Sequence, residues 1–275
     1  MKRTKTKTHI VPEGALDIPT VQAMAPAVMA TKPYRNVSQK YAFVPTIELV
    51  EMLTERLWWP TRAQQARVNK KDRYGFQRHL VRLAHEKDLI TKKPGDRVEL
   101  VLLNSHDKNC AFALMAGIYR LVCENGLIVG QDKFAFRHKH IFLEKEELFA
   151  NVDAIEDNAS RLHKHISQFQ KIQMDERERK RFAKSAVEVA WREVSRSPIK
   201  PDTLLVPRRK IDEKMDLWTT YNVVQENLMK GGLSGKSRKS NRRVKTGKIT
   251  SVTKDVKMNA QLWQLAEKIA QKKAV

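Results

Sequence analysis

Three short stretches of this 275-residue chain bring together side chains able to do chemistry. Asn104-Ser105-His106-Asp107 places a hydroxyl, an imidazole and a carboxylate in succession, the residue types of an acid/base pair. Asn, Ser and Asp are also what a hairpin turn requires, and the stretch is read as a turn with no catalytic residue assigned. For a metal, the donors to weigh are Cys110, Cys123, His138, His140, His163 and His165. No Cys-x-x-Cys or His-Glu-x-x-His spacing joins them. His138 and His140 alternate onto one side of a strand, as ligands can, but Arg137 and Lys139 beside them mark a basic strand, and no metal is assigned. The segment from Gly231 to Ser237, Gly-Gly-Leu-Ser-Gly-Lys-Ser, resembles a phosphate-binding loop and fails on spacing. The pattern needs a glycine where Lys230 stands, and it follows a strand, whereas this segment follows a helix. No cofactor is expected.

The abundant chemistry is cationic. Lys and Arg number 53 against 31 Asp and Glu, a formal net charge of +22. A body this basic repels itself unless something anionic sits on it. Residues 231–248 carry Lys236, Arg238, Lys239, Arg242, Arg243, Lys245 and Lys248 with no acid among them. They read as a phosphate-backbone clamp that orders when nucleic acid binds, or as a solvated surface loop. Between Arg62 and Arg82, basic residues interleave with aromatics: Arg62, Arg67, Lys70, Lys71, Arg73, Tyr74, Phe76 and Arg78. Tyr74, Phe76 and His79 are placed to stack on bases, or Tyr74 and Phe76 belong to the core. Arg137 and Lys139 complete the candidate nucleic-acid contacts.

Composition narrows the class further. Hydrophobic residues make up 41%, enough for a core and too many for a basic tail. The longest apolar run, residues 110–119, is far short of the ~20 residues of a membrane span, and no interfacial amphipathic helix is visible. Two cysteines make no disulfide framework. The Ala-rich residues 21–30 imitate a signal peptide, but Glu13, Asp17, Pro12, Pro19 and Pro26 break it. A reduced, cytoplasmic protein is the expectation.

The elements that must carry these groups follow from periodicity. Residues 1–40 read as a basic extended N-terminal arm, with no period held for long. An α+β core is expected over 41–230, a basic flexible loop over 231–250, and a C-terminal helix packing on the core over 251–275. Tyr41-Ala42-Phe43-Val44 reads as a short strand, and Thr46 as the cap of a helix over 47–57 that Trp58-Trp59-Pro60 stops. Residues 97–142 read as an antiparallel meander of three or four strands, turning at 104–109 and at Asn125-Gly126. Residues 111–117 admit a helical turn as well. Long helices follow. Leu148, Val152, Ile155, Leu162, Ile166 and Phe169 keep a helical spacing, Asp175 with Glu178 forms a capping box, and further helices span 211–229 and 257–271. Gly231-Gly232 closes the first of these two, and Trp191, Trp218 and Trp263 are read as packing residues. The fold class is therefore α+β: an antiparallel β-meander followed by long helices, with a basic surface.

Three motifs in this order resemble the phage- and plasmid-associated domain-of-unknown-function family 932. They are Leu102-Leu103-Asn104-Ser105-His106-Asp107, the stretch Arg120-Leu121-Val122-Cys123-Glu124-Asn125-Gly126-Leu127, and Asn222-Val223-Val224-Gln225-Glu226-Asn227-Leu228 with Gly231-Gly232. The likeness runs over residues 35–270, and Lys108 stands where the family has Gly. It implies a mobile-element or prophage setting and brings no catalytic residues. By layout, a meander then a long helix, the chain is also similar to the Rad52-like single-strand annealing proteins, which hold single strands by their backbone along the basic groove of an oligomer.

The reading is a non-enzymatic, homo-oligomeric protein binding DNA, single-stranded, in recombination or replication. With about 7 phosphates neutralised, affinity would fall with salt on a log–log slope near −5 to −6. Two alternatives stand beside it. One is a metal-dependent nuclease using Ser105, His106 and Asp107 with Glu99 or Glu124. The other is an anti-defence protein whose charge contacts an acidic host protein.

Overall fold

The computed structural model describes residues 10–35, 41–90, 95–121, 125–129, 135–138 and 145–273. Lys139, His140, Cys123 and Glu124 lie outside these residues, as do the side chains of Arg137, His138, Leu148, Val152 and Ile155. The chain divides into two compact units, Met1–Ala113 with Arg137–Leu143, and Leu114–Phe136 with Glu144–Val275. The architecture is α+β, an antiparallel meander followed by helices, as the periodicity predicts.

In the first unit, part of the expected arm is folded. Asp17 accepts a hydrogen bond from the Thr20 N–H and caps α1 (Ile18–Met24), and a 3-10 turn follows at Pro26–Met29. Val21, Ala25, Ala27 and Val28 are fully buried. Residues 41–44 make no strand beyond a bridge at Tyr41. Helix α2 (Thr46–Glu55) buries Leu49, Val50 and Leu53, while Ile47 is half-buried and Leu57 exposed. Thr46 is its first helical residue and not its cap, because its hydroxyl faces inward.

Two strands escape the sequence pattern. The segment expected to end a helix begins β1 (Trp58–Gln65), and β2 (His79–His85) follows it. Pro60 is tolerated because β1 is an edge strand with a register shift between Pro60 and Arg62. A short helix α3 (Glu86–Ile90) leads to β3 (Asp96–Asn104), and β1, β2 and β3 pair antiparallel. Then come β4 (Phe112–Arg120), β5 (Asn125–Ile128) and β6 (Ala135–His138). The strand order follows chain order from β1 to β5, with β6 pairing β4 off that path. Residues 111–117 thus take their strand reading. Asn125 and Gly126 pair with Arg120 and Tyr119, so they belong to β5 rather than to the turn.

In the second unit, α4 (Lys145–Lys171) buries Leu162, Ile166 and Phe169. Asp175 and Glu178 close a reciprocal capping box on α5 (Glu176–Trp191). This helix ends at Arg192, whose φ is 69°, before the prolines expected to stop it. Helix α6 (Leu217–Lys230) starts six residues later than its periodicity predicts, because Asp216 caps it at Thr219. In place of a linker-like loop, β7 (Ser234–Lys236) and β8 (Arg243–Lys245) form an antiparallel hairpin. Helix α7 (Val252–Lys273) ends the described chain. Trp218 and Trp263 are core residues that stack with Tyr221 and Phe169, whereas Trp191 is half-buried.

Candidate nucleic-acid interface

The predicted contact residues of the first unit gather on the connection between β1 and β2. Arg67, Lys70 and Lys71 are exposed there, and Tyr74 is 59% exposed, so it is not a core residue. Phe76 is half-buried and meets the Tyr34 ring edge-on at 5.6 Å. The Arg73 guanidinium lies 5.6 Å from the Tyr34 ring centre. Arg78 donates to the Asn109 carbonyl. Arg62 is half-buried in β1 opposite Arg82. His79 is fully buried and cannot stack on a base, and Arg82 is 2% exposed in an ion pair.

Beneath this connection lies a closed polar network. The Asn104 amide donates to the Val44 carbonyl at 3.0 Å and to Thr46 Oγ1 at 2.9 Å, and its oxygen accepts from the Ser105 N–H at 2.8 Å. His79 Nδ1 lies 2.9 Å from the Gln77 carbonyl, which only accepts, so that nitrogen carries the proton. With the rings neutral, Thr46 donates to His79 Nε2 at 2.7 Å and accepts from His106 Nε2 at 3.3 Å. Ser105 Oγ is engaged with Cys110, and Asp107 accepts from Asn109. The three consecutive residues that could form an acid/base set therefore face three different partners. Burial pushes the Tyr41 phenol up to about 12, so it remains a donor to the Ser105 carbonyl.

Glu99 sits apart from this network. His79 and Asn104 are opposite in register, so alternation puts Arg82 and Glu99 on the other face of the sheet. Glu99 is fully buried there between Arg82 at 3.2 Å and Arg97 at 2.9 Å. Glu99 and His106 thus do not form one site.

The second unit carries the hairpin, and all seven of its predicted cations are exposed. Its register sets Lys236 opposite Arg243, and alternation adds Lys245 to the same face. The opposite face is pressed on the chain, where a Cβ at Gly235 would meet the Pro198 carbonyl oxygen at 2.2 Å. Lys236 N–H donates to that carbonyl at 2.8 Å, and Arg238 Nε to the Ser197 carbonyl at 2.7 Å. The hairpin is therefore shaped without a ligand, and its charged face points away from its support. Like charges directly opposite on a strand pair destabilise it, so this face gains from an anion. Lys239 and Arg242 lie at its tip.

Sequence reasoning left open whether Gln225-Glu226-Asn227 positions this segment, and the structure answers it. Asn227 donates to the Leu204 and Val206 carbonyls at 3.0 Å each, and accepts from Arg208 Nε at 2.9 Å. Arg208 also donates to the Gly231 carbonyl at 2.7 Å, where the hairpin leaves α6. Gln225 bonds Asn259 of α7 at 2.8 Å. Glu226 pairs with Arg209 and, at 3.0 Å, with Lys230. Burial pushes its carboxyl up, but these two cations outweigh that and hold it below the usual carboxylate range. Asp212 joins Arg209 to Arg120, the latter at 2.7 Å.

Among the described residues, no group of three or more His, Cys, Asp or Glu is placed to hold a metal ion. Among them, too, no helix is long and apolar enough to cross a membrane.

A family model described as Domain of unknown function (DUF932) matches residues 33–263. The chain is similar to UPF0380 protein YafZ and UPF0380 protein YfjQ of Escherichia coli (strain K12). Each is 32% identical over 244 residues, covering 89% of this chain and 88% of the relative. No solved structure matches.

Proposed function

We propose that this chain, which belongs to the family described as Domain of unknown function (DUF932), is a nucleic-acid-binding protein that holds single-stranded DNA by its phosphates. The reading has it act without catalysis, as a homo-oligomer in the cytoplasm, in the recombination or replication of a phage, prophage or plasmid. One observation carries it: Lys236, Arg243 and Lys245 share the outward face of a preformed hairpin within a span of seven cations and no acid. Phosphate contacts of this kind position a strand without reading its sequence. The exposed Tyr74 supports a single strand over a duplex, because an unpaired base has a free face to stack on an aromatic ring. The antiparallel meander followed by the 27-residue α4 supports the likeness in layout to single-strand annealing proteins.

Annealing of two complementary labelled oligonucleotides, in EDTA and at low salt, tests the proposal. The protein accelerates annealing, and rising salt abolishes the effect. Absence of single-strand binding at low salt contradicts the reading, as does cleavage that needs a divalent cation.

A further inference from the structure

A cavity of about 520 Å³ opens in the second unit beside the hairpin. Trp191, Leu228 and Met258 form its apolar wall, and Lys245, Lys248 and Lys254 stand around it. No carboxylate lines it. The three lysines are exposed, and none forms an ion pair among the described residues. The adjoining main chain adds donors, since the N–H groups of Gly247, Lys248, Thr250 and Ser251 have no acceptor among those residues. Cavities of about 300–1,000 Å³ with apolar walls and a few convergent polar groups are the usual size and chemistry of small-ligand sites.

The chemistry of the lining is divided. Three ammonium groups and unpaired amide donors suit a phosphate. An indole beside a thioether suits a flat ring. We infer that this cavity binds a nucleoside phosphate, its phosphate among Lys245, Lys248 and Lys254 and its base against Trp191 and Met258. The inference rests on the nucleic-acid reading only for the source of the ligand, because a nucleotide unit of a bound strand and a free mononucleotide present the same groups.

The test titrates thymidine 5′-monophosphate, thymidine and inorganic phosphate separately into the full chain by calorimetry. The monophosphate binds at least about tenfold more tightly than either fragment. Two variants probe the cavity without touching the outward face of the hairpin. Lys254→Gln removes one exposed ammonium. Gly247→Leu fills space, because a Cβ there meets nothing within 4 Å. Each variant keeps the wild-type melting temperature and loses at least about tenfold in monophosphate affinity, while binding of a long single strand changes only a few-fold. Displacement of the monophosphate by that strand assigns the site to a unit of the strand, and persistence assigns it to a free nucleotide. No monophosphate binding, or binding undiminished in both variants, overturns the cavity assignment. Intact strand binding in that case leaves the nucleic-acid reading standing. Monophosphate binding without strand binding instead overturns that reading and keeps the cavity.

Discussion

The β1–β2 connection and the β7–β8 hairpin are both rich in cations, and they handle them in opposite ways. On the connection, Arg73 lies over Tyr34, Arg78 holds the turn at Asn109, and Asp72 stands among the basic residues. What it leaves free is an aromatic ring, Tyr74. The hairpin has neither aromatic nor acid, and Lys236 and Arg243 oppose each other across it. Each rests on a buried asparagine that ties down main-chain carbonyls, Asn104 at Val44 and Asn227 at Leu204 and Val206. The difference assigns them different tasks. Charge on the hairpin supplies affinity, and Tyr74 supplies the preference for an unpaired strand.

The largest expected effect removes the charge. Replacing Lys239, Arg242, Arg243 and Lys248 together with Gln makes the salt slope shallower by about 3, and near 0.1 M salt affinity falls by about two to three orders of magnitude. Arg238 is left in place because it holds the Ser197 carbonyl. Fluorescence anisotropy across a salt series reads both quantities.

Two glycines sharpen the comparison through stability. Gly231 has φ 63°, and a Cβ there would meet the Gly247 carbonyl oxygen at 2.5 Å. Gly231→Ala destabilises by about 3 kcal/mol, from backbone strain and a collision at the base of the hairpin. Gly75 has φ 87° on the connection, with nothing within 4 Å of its Cβ position. Gly75→Ala carries only the strain, about 1 kcal/mol. Denaturant unfolding of both variants shows whether the hairpin is the more tightly built of the two.

Tyr74→Ala weakens single-strand binding by about tenfold, the loss of one stacking platform, and leaves the salt slope unchanged. An unchanged affinity would remove the connection from the interface. The smallest effect is at Lys108, whose φ is 65°. Lys108→Gly relieves that strain and stabilises the chain by about 0.5 kcal/mol, net of the extra freedom glycine has when unfolded. A thermal melt reads it.

Legibility in the sequence followed locality. The capping box at Asp175 was readable because its partners lie three residues apart. The meander from β3 onward was readable because its runs are apolar, and Gly231 was readable as a helix end. Strands β1 and β2 were not. Their pattern is broken by Pro60, Arg82 and His79, which only an edge position, an ion pair with Glu99 and a bond to Thr46 make acceptable. Each of those partners is distant in sequence. The same holds for the site. The number of hairpin cations was visible, but their common face depends on the register of Lys236 with Arg243. Likewise, nothing local indicates that Glu226 and Asn227 are buried, since their partners Arg209 and Arg208 sit outside α6.

Binding of the full chain to single-stranded and double-stranded oligonucleotides of equal length, across a salt titration in EDTA, tests the central claim most directly. Seven hairpin cations on phosphates give a log–log slope near −5 for the single strand, with the single strand preferred. A slope shallower than about −1, or equal slopes for the wild type and the four-Gln variant, would contradict the account.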